Sequence, residues 1–169
     1  NVISRNVMSV LTHIDLDHVE YLGDTIEKIA TTKSKIIKKD CESGVTVVAK
    51  QENGAIPVIQ READACGTRL IVPEDAVSEG TEEIYEIISY GGMKHLRLGL
   101  GGLYQIENAC TAIECARALG LSEDAIRQGL LEAKNPARFE MIDTNPNVIY
   151  DGGHNPNGVR SLKASLDRY

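Results

Sequence analysis

The spacing of apolar and polar positions changes several times along the chain. Val7–Leu11 is a short apolar run that reads as a buried strand. From Asp24 to Lys38 the apolar positions Ile26, Ile29, Ala30, Ile36 and Ile37 follow a helical period, with Asp24 as the expected cap. Val45–Ala49 predicts a second buried strand. Ala55–Cys66 predicts a helix stopped by Gly67. Thr68–Val72 follows as a strand closed by Pro73. Glu83–Tyr90 and Met93–Leu98 then alternate apolar with polar across Gly91-Gly92, the mark of a hairpin. Tyr104–Leu119 is an alanine-rich helix ended by Gly120. Ser122–Lys134 is another, with Ser122 at the N-cap, broken by Asn135-Pro136. Arg138–Asp143 and Val148–Asp151 read as strands. Asn155 and Pro156 then supply the N-cap and first position of a last helix.

This order predicts an α/β fold: a mostly parallel sheet flanked by helices, with an antiparallel hairpin at its edge. The break at Lys134–Ala137 is the expected domain boundary. Residues 1–134 would form one domain, and 135–169 are too few for a second domain. They read as the opening strands and helix of another α/β domain, so the chain is expected to be part of something longer. No internal repeat or low-complexity segment is present.

Composition narrows the function classes. Of 169 residues 42% are apolar, enough for a packed core. A formal charge of −7 argues against nucleic acid as a partner, because phosphate binding needs a basic face. No apolar run approaches the roughly 18 residues that span a bilayer, so no membrane role is expected. Cys41, Cys66, Cys110 and Cys115 are scattered without CxxC spacing, which fits a reduced, cytoplasmic protein better than a disulfide framework or a zinc site.

The densest candidate chemistry is Thr12-His13-Ile14-Asp15-Leu16-Asp17-His18, just beyond a predicted strand. Open α/β sheets place ligands at such carboxyl ends. Two readings compete. The segment is similar to the T-H-x-H-x-D-H motif of binuclear metallohydrolases, with Asp15 in place of the second His and with His95 and His154 as distal ligands. It also resembles the T-N-I-x-x-D-H motif of the Mur ligase and folylpolyglutamate synthase superfamily, with His13 where that family has Asn.

The residues that follow favour the second reading. Val19-Glu20-Tyr21-Leu22-Gly23-Asp24-Thr25 and onward to Ala30 resembles the D-H-x-E-x-L-G-x-T-x-x-x-I-A run of folylpolyglutamate synthases. Lys33-Ser34-Lys35-Ile36-Ile37-Lys38 resembles their K-A-G-I-I-K, with Lys35 in place of Gly. The resemblance implies that His18 is a magnesium ligand. It also implies that Lys33 is carbamylated by CO2 on its side-chain nitrogen, giving the N6-carboxylysine that helps hold a second magnesium.

Three further stretches carry the resemblance. Gly99-x-Gly101-Gly102 before a helix hints at a phosphate loop, although a flexible turn is the plainer reading. With Gln105, Asn108, Ala109 and Ala112 this stretch resembles G-x-H-Q-x-x-N-A-x-x-A, with Tyr104 in place of His. The resemblance makes Asn108 an ATP contact. Asn135-Pro136-Ala137-Arg138-Phe139-Glu140 resembles the interdomain P-G-R-x-E linker, with Ala137 in place of Gly and Arg138 as a phosphate contact. Asp151-Gly152-Gly153-His154-Asn155-Pro156 resembles D-G-A-H-N-P, the most specific single match. It implies Asp151 on the ribose or adenine side of the nucleotide, and His154 toward the phosphates or the acceptor.

Together these imply an ATP-dependent amide ligase that works through an acyl phosphate. Its expected partners are folate or dihydropteroate, L-glutamate, ATP and Mg2+. A Mur-type peptidoglycan amino-acid ligase is the near alternative, disfavoured by the E-x-L-G-x-T and K-x-x-I-I-K runs. The intact enzyme is expected to be monomeric. The family's G-T-N-G-K-G-S loop does not occur in these residues, so this chain alone is expected to lack ligase activity.

Overall fold

A computed structural model of the chain describes residues 2–16, 19–51 and 54–169. Its contacts define two compact units: Asn1–Pro73 with Thr111–Gly120, and Glu74–Cys110 with Leu121–Tyr169. The boundary expected after Lys134 falls inside the second.

The first unit contains β1 (Arg5–Asn6), β2 (Ser9–Leu11), α1 (Val19–Leu22), α2 (Ile26–Ser34), β3 (Asp40–Cys41), β4 (Val45–Val48), α3 (Ile56–Cys66) and β5 (Arg69–Ile71). Strands β2, β4 and β5 form a parallel sheet with β4 in the middle, and β1 pairs with β3 alongside. Every residue of β4 is buried, which explains its unbroken Val-Thr-Val-Val run. Its one polar side chain, Thr46, shares a 2.9 Å hydrogen bond with Thr68 and so carries no unpaired group into the core. Leu11, Ile14, Ile29, Ala30, Ile37, Val48, Ala55, Ile59 and Ala63 form the apolar cluster between sheet and helices.

Helix α2 departs from expectation at both ends. Thr25, not Asp24, is the N-cap: its hydroxyl accepts from the Lys28 amide, while Asp24 instead takes the Lys28 ammonium at 2.8 Å. The helix closes at Ser34, where Ile36 and Ile37 donate to Lys33 and Ser34 in tightened three-residue turns. Helix α3 ends as its sequence predicts. Gly67 adopts φ 70°, and Thr68 donates back to the Ala63 carbonyl.

The second unit holds β6 (Val77–Glu82), β7 (Tyr85–Tyr90), β8 (Met93–Gly101), α4 (Tyr104–Ala118), α5 (Glu123–Glu132), β9 (Glu140–Thr144), β10 (Asn147–Tyr150) and α6 (Pro156–Arg168). The second half of α4 is counted with the first unit. Strands β6, β7 and β8 form an antiparallel meander, β9 and β10 a separate hairpin, and α5 packs on β8. Strand β6 has no counterpart in the sequence reading. Its Val-Ser-Glu-Gly-Thr-Glu run lacks a periodic apolar face, and pairing with β7 alone makes it a strand. Ser122 and Asn155 cap α5 and α6 as predicted, accepting from the amides of Ala125 and Gly158. The strand expected from Arg138 starts instead at Glu140, because Ala137 and Phe139 turn the chain with φ of 61° and 50°.

The glycines at the end of β8 have a packing role. An added Cβ at Gly99 would lie 2.2 Å from the Leu131 carbonyl oxygen at the end of α5. One at Gly101 would meet Ile84 at 2.7 Å and the Phe139 carbonyl at 2.8 Å. These glycines let neighbouring backbone approach β8.

Candidate functional site

Candidate residues occur in both units. In the first, the polar loop after β2 is tied to the loop after β4 by a side chain that the sequence reading passed over. Gln51 accepts from the Ile14 amide at 2.8 Å and donates to the carbonyls of Ala49 at 2.8 Å and Thr12 at 3.2 Å. His13 donates through Nδ1 to the Lys50 carbonyl at 3.2 Å, the only direction a carbonyl permits. Asp15 caps its own turn by accepting from the Leu16 amide. His13 and Asp15 therefore shape this loop. Asp17 and the candidate ligand His18 lie outside the described residues. Among the described residues no group of three or more His, Cys, Asp or Glu is arranged to hold a metal ion.

Lys33 sits half-buried in the last turn of α2. Its neighbouring lysines are engaged: Lys28 with Asp24, Lys35 with Glu62 at 2.6 Å, and Lys38 with the Lys35 carbonyl at 2.6 Å. The pairing with Glu62 on α3 occupies the extra charge that Lys35 brings to the position of the expected Gly. Lys33 has no such partner among the described residues. That leaves its amine available, and a carbamate formed on it would offer oxygens of the type magnesium prefers.

In the second unit, three of the sequence motifs meet at one carboxylate. Asp151 Oδ2 accepts from the Tyr104 hydroxyl at 2.9 Å and from the Phe139 amide at 2.8 Å. Its Oδ1 accepts from the Gly153 amide at 2.7 Å, an Asx turn. The Gly152 amide donates to the Ala137 carbonyl at 2.8 Å, and the Ala137 amide donates to Glu140 at 2.8 Å. Arg138 is thus the exposed middle residue of a turn held on both sides, with Phe139 fully buried next to it.

His154 is exposed and donates through Nδ1 to the Gly152 carbonyl at 2.9 Å, which leaves Nε2 as an acceptor. Asn108 is exposed on the first turns of α4 and donates to Gln105 at 2.9 Å. Burial, and then the Asp151 carboxylate, push the Tyr104 phenol well above its ordinary range; the Arg138 charge acts in the opposite direction. The phenol is therefore a permanent donor. Of these residues, Asp151, Arg138, His154 and Asn108 were marked by their motifs. Tyr104 was visible only as a departure from one, and nothing in residue type or spacing pointed to the Phe139 amide.

His95, the other distal residue of the hydrolase reading, pairs with Glu79 across the meander. No helix is long and apolar enough to cross a membrane among the described residues.

The Mur ligase middle domain matches residues 3–116. A dihydrofolate synthase/folylpolyglutamate synthase of Bacillus subtilis is 33% identical over 95% of this chain and 40% of its own length. The folylpolyglutamate synthase of Lacticaseibacillus casei is likewise 33% identical, over 98% of this chain and 41% of its own length. Among solved structures, an FPGS complex with AMPPCP and folate superposes with a TM-score of 0.84 at 31% identity, covering 99% of this chain and 43% of that one. The chain thus spans about two fifths of the length of these relatives.

Proposed function

This chain belongs to the Mur ligase family, and from that premise we propose that the whole protein is an ATP-dependent ligase joining L-glutamate to folate. Dihydropteroate is the alternative acceptor, in keeping with a Bacillus subtilis relative named both dihydrofolate synthase and folylpolyglutamate synthase. The observation that carries the reading is the meeting of three motif segments at Asp151. The linker that carries Arg138, the start of α4 that carries Asn108 and the turn that carries His154 are tied together at that carboxylate through the Phe139 amide, Tyr104 and the Gly153 amide. A guanidinium, an amide and a carboxylate on segments joined in this way suit the phosphates and ribose of a nucleotide.

In this mechanism the acceptor carboxylate attacks the γ-phosphorus of ATP and ADP leaves, forming an acyl phosphate. The glutamate amine then attacks the acyl carbon, phosphate departs, and an amide remains. Arg138 meets the charge on the phosphates, Asn108 orients the nucleotide, and Asp151 accepts from the ribose. His154, with Nδ1 fixed on Gly152, offers Nε2 to the proton released by the amine. His18 and carbamylated Lys33 would hold magnesium, which supplies positive charge to the phosphoryl oxygens when bound.

We assign residues 135–169 to the start of the C-terminal glutamate-ligase domain, and 1–134 to the ATP-binding middle domain. The exposed apolar side chains Ile142, Val148, Tyr150, Val159 and Leu166 support further chain covering this end. The intact enzyme acts as a cytoplasmic monomer, with neither nucleic acid nor membrane as a partner.

The test is coupled ADP release by the intact protein with ATP, folate or dihydropteroate, and L-glutamate. Turnover that needs all three substrates and disappears in Lys33→Ala supports the proposal. ATP-independent hydrolysis of an ester or lactone would overturn it in favour of the metallohydrolase. The 169-residue chain by itself should give no turnover.

A further inference from the structure

A carboxylate offers about four acceptor directions, two on each oxygen. At Asp151 the Tyr104 hydroxyl and the Phe139 amide fill both on Oδ2, and the Gly153 amide fills one on Oδ1. One direction on Oδ1 stays open. The group is half-buried, so its rotation is limited by these three donors. Two of the three are backbone amides, which any sequence would supply. The third is the side chain of Tyr104, at the position where the related motif carries His.

We propose that Tyr104 is a positioning residue for nucleotide recognition: by holding Oδ2 it aims the open side of Asp151 at a ribose hydroxyl. This rests on the reading of Asp151 as a nucleotide contact. Tyr104 does not itself touch the nucleotide. It works through the carboxylate, and its ring stays packed against the Gly102 turn, where a Cβ on Gly102 would lie 3.0 Å from it. Because the phenol remains protonated, it donates over the whole neutral range. Loss of the hydroxyl leaves the ring and both backbone donors in place, but frees the carboxylate to turn about its remaining bonds. The effect should therefore fall on ribose recognition rather than on folding.

The experiment is equilibrium binding of ATP, 2′-deoxy-ATP and 3′-deoxy-ATP to the intact protein and to Tyr104→Phe, with the thermal midpoint of each. Wild type should prefer ATP over one of the deoxynucleotides by about tenfold, the scale of one hydrogen bond to a charged group. Y104F should bind ATP about tenfold more weakly, leave that deoxynucleotide unchanged, and so erase the preference. Asp151→Asn gives a second route to the same result, and the double variant should lose nothing further. If wild type discriminates and Y104F discriminates equally, the positioning role is overturned while the ligase reading stands. If wild type binds ATP without preference for the hydroxyl, the role is also overturned. If it binds no nucleotide, the ligase reading itself fails.

Discussion

Gly99→Ala separates two meanings of the glycine-rich stretch before α4. A phosphate loop would need its glycines for a ligand. In this fold, Gly99 instead faces the end of α5. The new Cβ would stand 2.2 Å from the Leu131 carbonyl oxygen, 2.9 Å from its carbon and 3.0 Å from the Ala133 oxygen. Unbonded carbon and oxygen approach to about 3.3 Å at closest, so the overlap is about 1 Å. The obstacle is backbone on every side, and no rotamer change relieves it. Either β8 or the end of α5 must move. Overpacking of this sort costs about 1–3 kcal/mol, and a backbone obstacle places it near the upper end. At about 2–4 °C per kcal/mol for a domain of this size, the midpoint should fall by roughly 6–12 °C. Gly129 in α5 provides the control, because a Cβ there meets nothing within 4 Å. Gly129→Ala should gain about 0.5–1 kcal/mol from helix propensity and raise the midpoint. Calorimetry or circular dichroism on the intact protein reads both. A midpoint for G99A within about 1 °C of wild type would refute the packing argument. Loss of nucleotide binding at an unchanged midpoint would restore the phosphate-loop reading.

Three further outcomes follow from particular contacts. Ala137→Gly should stabilise by about 0.5–1 kcal/mol in urea titration: the alanine occupies φ 61°, at a cost that exceeds the added freedom of glycine in the unfolded chain. Gln51→Ala should destabilise by about 1–3 kcal/mol, because it removes the acceptor for the Ile14 amide and the donor to the Thr12 and Ala49 carbonyls; Gln51→Glu, which keeps the acceptor, should recover part of the loss. Stability should fall on the alkaline side. Burial pushes the Cys110 thiol up to about 11 and raises the phenols of Tyr104 and Tyr169. For groups raised in the folded state, the contribution is complete below the unfolded pKa and is lost as pH climbs through the folded one. The thermal midpoint should therefore hold up to the thiol's ordinary value of 9.0 and decline above it, and native Cys110 should resist a thiol reagent at pH 8.

Glu86 illustrates how far sequence reading reaches. It lies on strand β7 in phase with Ile88 and Tyr90 and is buried with them, at 1% exposed, which its charge gave no reason to expect. What makes this tolerable is that Ser78 on β6 donates to it at 2.8 Å, and that Arg168 and Tyr169, 82 and 83 residues further on, reach it at 3.3 and 3.2 Å. Sequence distance hid those partners. The same holds for β6, which forms only through its neighbour, and for Gln51, whose amide joins loops 37 residues apart.

The family, most of the longer elements, the caps at Ser122 and Asn155 and the Gly67 stop were contained in the sequence. Each depends on local chemistry or on motif order along the chain. Four motifs named Lys33, Asn108, Arg138, Asp151 and His154 without any geometry. Tertiary structure alone decided that Asp151 is shared by three of those segments, that Tyr104 is its side-chain donor, and that Lys28, Lys35 and Lys38 are engaged while Lys33 has no ion-pair partner among the described residues. It also decided that the glycines beside Tyr104 make room for neighbouring backbone. The physical reason is the same in each case. A hydrogen bond or a steric clash depends on distance in space, and residue types record only what each side chain could do once folding has supplied its neighbours.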